Sequence, residues 1–139
     1  DATVIGSNAG VSGDYGALSA TGGSTILGLS VLGNTIDVTS APNQSVLPAL
    51  LAPLGISITL NEQSTTGNGI SSAGISVNAI DVEFTDALLG TDLLNGDIIL
   101  SHSQAMETAV PNTTPVPEPA GLALFGLGLV GLGLARRRA

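Results

Sequence analysis

The stretch ISSAGISVNAIDVEF, residues 70–84, decides the fold. Ile75 and Val77 alternate with Ser76 and Asn78, and Ile80, Val82 and Phe84 alternate with Asp81 and Glu83 in the opposite phase. A period of two marks a strand that buries one face. The phase slips at Asn78-Ala79. A β-bulge there, one inserted residue, would reverse which face is buried. Asp81 and Glu83 then point outward.

Working outward, Leu54–Leu60 alternates with Ile56, Ile58 and Leu60 on one side, and Asn61–Asn68 is polar and turn-rich. Downstream, Leu88–Leu94 and Asp97–Ser103 flank Asn95-Gly96, a pair that tolerates the positive φ of a two-residue hairpin turn. The run Ile98-Ile99-Leu100 is either buried on both sides or near an interface. Upstream, Thr25–Leu32 and Thr35–Thr39 flank a Gly33-Asn34 turn, with Ile36 and Val38 alternating against Asp37 and Thr39. Ala41–Pro53, with three prolines, is read as a loop holding one short helix begun near Pro48. Residues 1–20 are Gly-, Ser- and Ala-rich, with weak strand signals at Val4-Ile5 and Tyr15–Leu18. The expectation is an all-β fold, a single sandwich or small barrel of six to eight short strands.

Composition sharpens this. Among 139 residues there are 19 glycines but only one tyrosine and two phenylalanines, so the core is built from aliphatic side chains. The only basic residues are Arg136, Arg137 and Arg138, and all 11 carboxylates precede them. Such a body repels nucleic acid and anionic headgroups and has no Lys or Arg for an internal ion pair. With no cysteine, disulfides and cysteine–zinc sites are excluded. The opening Asp1-Ala2-Thr3, without Met or a basic-apolar leader, reads as a mature end left after signal-peptide removal.

Candidate chemistry is sparse. His102 is the single histidine, between Ser101 and Ser103, but strand neighbours point to opposite faces and no nucleophile elbow is present. A structural or surface histidine is the favoured reading, and no catalytic residue is expected. Asp81 and Glu83 share a face roughly 7 Å apart. Paired carboxylates serve glycoside hydrolysis, yet the body lacks the aromatic platforms that sugars stack on. A solvated acidic face is favoured over weak Ca²⁺ binding with Asp92 or Asp97, and no calcium-loop motif, metal site or cofactor is expected. The letters Gly126-x-Gly128-x-x-Gly131 lie in an apolar tail and follow no strand, so they are not a nucleotide site. Asn43-Gln44-Ser45 and Asn112-Thr113-Thr114 fit the glycosylation pattern.

The tail divides the chain. Residues 1–108 form the β domain. Residues 109–119 are a Pro/Thr-rich linker, an extended semi-rigid spacer. Residues 120–139 are an apolar helix closed by an Arg cluster. Ala120–Ala135 carries no charge and no hydrogen-bonding side chain. As a helix it is about 24 Å long, short of the roughly 30 Å bilayer core, and it is read as a marginal span whose arginines hold the cytoplasmic end, the alternative being a buried core helix. Gly121 and Gly128, and Gly126 and Gly133, recur at heptad spacing, which would let helices approach closely; the expectation is packing into an oligomer or filament, set against a glycine-rich helix with no packing role.

Val116-Pro117-Glu118-Pro119, the Gly/Leu helix and Arg136–Arg138 together resemble the PEP-CTERM sorting signal. The resemblance implies an exported protein at the surface of, or outside, a Gram-negative bacterium. It implies recognition of Pro117, Glu118 and Pro119 by an exosortase-type sorting enzyme in the inner membrane, with Arg136–Arg138 setting topology. The segments ITLNEQ (58–63), ISVNAIDV (75–82) and GDIILSHS (96–103) resemble the choice-of-anchor type of surface domain, which implies a self-contained ectodomain on an interchangeable anchor. The expected function is a non-enzymatic structural protein of surface or matrix, self-assembling through tail packing and through strand exchange by residues 1–12. The alternative is a surface-anchored adhesin or polysaccharide-binding module.

Overall fold

Strand order in the computed structural model, which describes residues 1–112 and Leu127, begins with a hairpin of β1 (Val4–Ser12) and β2 (Ser19–Leu27). A tiny hairpin of β3 (Ser30–Val31) and β4 (Asn34–Thr35) follows. Then come β5 (Gln44–Ser45), the helical turn α1 (Pro48–Leu51) with a 3₁₀ turn at Ala52–Leu54, β6 (Ile56–Gly67), β7 (Ser72–Leu89) and β8 (Asp92–Thr108). The last strands form an antiparallel sheet in the order β5-β6-β7-β8, and the β1–β2 hairpin packs across β7 and β8 as a second layer. The fold is all-β, and the layering is that of a sandwich, because β8 has no ladder partner beyond β7 among the described residues. The expectation of short strands fails for β7 and β8, which run 18 and 17 residues.

The phase slip at Asn78-Ala79 marks a real inversion, but no residue is inserted. Leu60 pairs with Ile80 and Glu62 with Asn78; Asn78 pairs with His102 and Ile80 with Leu100. The register is therefore the same on both sides of the row holding Asn61, Ala79 and Ser101. Asn61 (φ 49°) and Ser101 (φ 59°) both turn left-handed there. All three strands invert together, so Ala79 and Ile80 are both buried although adjacent. The row is a crease across the sheet.

On the inner side of the crease lie Ile75 and Val77 toward the hairpin, then Ile80 and Val82 with Ile26, Leu29, Val46 and Leu60. Leu60 and Val77 are the large side chains fully removed from solvent. Each such burial contributes roughly 1.5–3 kcal/mol. The hairpin comes close because Gly22 lacks a side chain: a Cβ there would stand 2.5 Å from Val77 Cγ2 and 2.9 Å from Asn8 O. Gly22 therefore serves layer packing, whereas Gly6, Gly10 and Gly23 of the same hairpin have no tight neighbour.

Several local expectations are corrected. Tyr15–Leu18 belongs to the loop between β1 and β2, not to a strand. Thr25–Leu32 breaks at Gly28, and the next turn is Leu32-Gly33, one residue before the expected Gly33-Asn34, with φ of 50° and 79°. The returning strand is only Asn34–Thr35 rather than Thr35–Thr39. The short helix at Pro48 is present. Asn61–Gly67 is strand, not turn, because its polar side chains find partners: Asn61 Nδ2 donates to the carbonyls of Ser40 and Ala41, both at 3.2 Å.

Asn95-Gly96 is not the hairpin turn. Leu89 pairs with Asp92, so the chain turns at Gly90-Thr91, with Gly90 at φ 70°. Asn95 instead faces a bulge on β7, where Thr85 and Asp86 oppose one residue. Asn95 Oδ1 accepts from the Asp86 N–H at 2.9 Å, and Asn95 Nδ2 donates to Asp86 Oδ1 at 3.0 Å. Ile98, Ile99 and Leu100 are not buried on both sides; each is 42–52% exposed. Finally, residues 4–12 are held in their own hairpin, and the Asp1 ammonium donates to Ser30 O at 2.9 Å. The N-terminal segment thus has partners within its own chain.

Candidate functional site

The outer face of the crease gathers the carboxylates. Asp81 lies between Thr59 and Ile99, and Glu83 between Ser57 and Asp97. The left-handed turn at Asn61 brings Glu62 onto the same side. Glu62, Asp81, Glu83 and Asp97 line a groove of about 490 Å³, with Phe84 and Asn95 at its end.

A polar line crosses the sheet beside this groove. Asn78 Nδ2 donates to Glu62 Oε2 at 2.6 Å, and Asn78 Oδ1 lies 2.6 Å from His102 Nδ1. With the amide nitrogen committed to a carboxylate, Oδ1 is the acceptor, so His102 Nδ1 carries the proton.

Asp81 is the strained member. Its Oδ1 is buried without a hydrogen-bond partner. Burial pushes its pKa up to about 6, followed by its hydrogen bond to Glu62 and the negative charges of Glu62, Asp97 and Glu83. No Lys or Arg exists in the body to offset them. The groove thus holds a carboxyl that takes up a proton near pH 6, in a cleft, which is the pattern of a candidate binding site. Among the described residues no group of three or more His, Cys, Asp or Glu side chains converges as a metal site.

The face shared by Asp81 and Glu83 was legible from the alternation, and Asp97 joins it, while Asp92 sits at the hairpin end outside the groove lining. Ser101 and Ser103 turn to the other face, where their Oγ atoms lie 3.1 and 2.9 Å from Ser7 Oγ. His102 is therefore bonded to Asn78 rather than to a serine. Glu62 and Asn78 were missed, since Glu62 lies in a stretch read as turn. Asn43 serves a turn, its Oδ1 accepting from the Gln63 N–H at 2.8 Å.

Pro117, Glu118, Pro119, Gly121, Gly126, Gly128, Gly133 and Arg136–Arg138, with the expected apolar helix, lie outside the described residues. Among the described residues no helix is long and apolar enough to cross a membrane.

Comparison with known proteins locates one relationship. The family model of the PEP-CTERM protein-sorting motif matches residues 115–138. No curated protein and no solved structure matches the chain. The chain therefore carries a PEP-CTERM sorting signal, which implies export in a Gram-negative bacterium, a signal tail at the membrane and processing by an exosortase.

Proposed function

We propose that this chain is a non-enzymatic structural protein of the bacterial surface or extracellular matrix, delivered there by its PEP-CTERM tail. The match at residues 115–138 carries the reading. Pro117, Glu118 and Pro119 are the recognition element, the apolar segment holds the protein at the inner membrane, and Arg136–Arg138 fix its orientation. The β body is a choice-of-anchor-like ectodomain, its aliphatic core and glycine-packed layers supporting a scaffold role. Tail helices packed through Gly121 and Gly128, or Gly126 and Gly133, provide a route to a filament.

A second reading, an adhesin or polysaccharide-binding module, is favoured by the groove of Glu62, Asp81, Glu83 and Asp97. Carboxylates there would accept hydrogen bonds from sugar hydroxyls.

The test is sorting in a host with and without its exosortase. The full chain should be processed and reach the surface or medium only when the exosortase is present. Glu118→Ala with Pro117→Ala should leave unprocessed protein in the inner membrane. Equal processing of this variant, or processing in the exosortase-deleted host, would reject the sorting assignment. Specific retention on matrix polysaccharide, lost in Asp81→Ala with Glu83→Ala, would favour the binding module.

A further inference from the structure

We propose that the groove beside the tail exit is filled by this chain's own linker, residues 113–116, turned back by Pro111-Asn112. This goes beyond the sorting role, and the docking stands or falls separately from it.

The groove has about 520 Å³ and lies between the β1–β2 loop and the residues that follow β8. Asp14 and Tyr15 stand on one wall, and Glu107, Val110 and Pro111 on the other. Both walls are fastened to one support, the turn between β6 and β7. Gly16 N–H donates to Ile70 O and Leu18 N–H to Gly69 O, each at 2.9 Å. Ala109 N–H donates to Ser71 O, also at 2.9 Å. Asn68 holds that turn, its Oδ1 accepting from the N–H groups of Ile70 and Ser71 at 2.9 Å and of Ser72 at 3.2 Å. The groove is therefore preformed, and filling it does not require ordering its walls.

The apolar surface of this groove is open. Tyr15, the one tyrosine of the chain, is 45% exposed, and Val110 is 81% exposed. Proline-rich segments dock against exposed aromatic rings at low cost, because the polyproline II form is already ordered.

The occupant follows from where the chain leaves. Asn112 lines the groove, and Thr113-Thr114-Pro115-Val116 comes next. Val110-Pro111-Asn112-Thr113 sets Pro at the second position and Asn at the third, which suits a type II turn. Such a turn returns the chain alongside Ala109 and Thr108, into the groove. At about 3.1 Å per residue, four residues cover roughly 12 Å. They carry no charge, and the two threonine hydroxyls can donate to the carboxylates of Asp14 and Glu107. Glu118 is the next charged residue of the chain, and the same two carboxylates repel it. The docked stretch therefore stops short of Pro117-Glu118-Pro119 and presents that element at the rim, a consequence that rests on the sorting assignment.

Without tryptophan, the tyrosine emission of the full chain comes from Tyr15. Acrylamide, an uncharged quencher, reads how open that side chain is. In the full chain in mild detergent, Thr114→Asp with Val116→Asp sets two carboxylates against Asp14 and Glu107 and should expel the linker. The quenching slope should then rise at least about twofold, as for a docking equilibrium favoured about tenfold before the change. Both substitutions lie outside the β body, so its circular dichroism spectrum should stay the same. An unchanged quenching slope would overturn the proposal. Protection of Tyr15 that is lost on diluting the unsubstituted protein would overturn it too, by placing a second copy's linker in the groove.

Discussion

Asn61 and Ser101 make the same left-handed turn in the two strands that flank Ala79, with φ of 49° and 59°. Neither is a glycine. A left-handed backbone costs an L-residue roughly 1–2 kcal/mol. Asn61 offsets it by being 2% exposed and fully engaged: Nδ2 donates to Ser40 O and Ala41 O, and Oδ1 accepts from Gln63 Nε2 at 3.0 Å.

Replacing Asn61 therefore removes buried hydrogen bonds and leaves the strain. Asn61→Ala is expected to destabilise the β body by about 2–3 kcal/mol. Asn61→Gly relaxes the backbone and loses only the side-chain bonds, so it should cost about 1 kcal/mol less. Thermal melts of the full chain in mild detergent check the order; a glycine variant no better than alanine would show that strain at this position is negligible.

Asp81 makes stability depend on pH in the sense opposite to a salt-bridged carboxylate. Its native pKa of about 6 lies above the ordinary 3.8. The native state therefore binds the proton more tightly than the unfolded chain. Ionisation costs stability above about pH 6, and the cost disappears as pH falls from 6 toward 4. A shift of about two units corresponds to roughly 3 kcal/mol, which partial solvation reduces to about 1 kcal/mol. Asp81→Asn should raise the melting temperature by about 4–8 °C at pH 7.5 and give little or no gain near pH 4. A gain of equal size at both values would assign the effect to something other than this proton.

Gly22 and Gly23 are adjacent but face different surroundings. A Cβ at Gly22 collides with Val77 and with the Asn8 carbonyl, whereas one at Gly23 finds only Asn8 Nδ2, at 4.0 Å. Gly22→Ala should cost about 1–3 kcal/mol by separating the two layers. Gly23→Ala should be neutral or stabilise by about 0.5 kcal/mol, since it removes unfolded-state freedom. Denaturant midpoints of the pair check this, and equal effects would contradict the packing of the hairpin on β7.

Where the sequence was legible, burial alternated along a strand. Ile56, Ile58 and Leu60 announced β6, and the change of phase after Val77 announced the crease at its correct place. What could not be read was the partner of each polar residue. Asn61 looked like punctuation because the carbonyls it satisfies, those of Ser40 and Ala41, are distant in sequence. Asn95-Gly96 has the chemistry of a hairpin turn, but it is spent on closing the bulge at Asp86 while the plainer Gly90-Thr91 makes the turn. The candidate site was half visible: Asp81 and Glu83 follow from period two, whereas Glu62 and His102 join only through Asn78, a juxtaposition across three strands. The tail was legible as a sorting signal at residues 115–138, because that meaning lies in the order of its parts and not in contacts with the body.

The crease also acts as an indexing mark for assembly of the long meander. Two hairpin strands of this length could slide past one another by two residues and still match apolar to apolar. A slid strand, however, would bring its left-handed residue beside a neighbour's flat backbone, and three strands would no longer reverse their faces in the same row. Misaligned zippering is thus rejected midway along the sheet, far from either turn, and one asparagine and one serine serve as the proofreading notch.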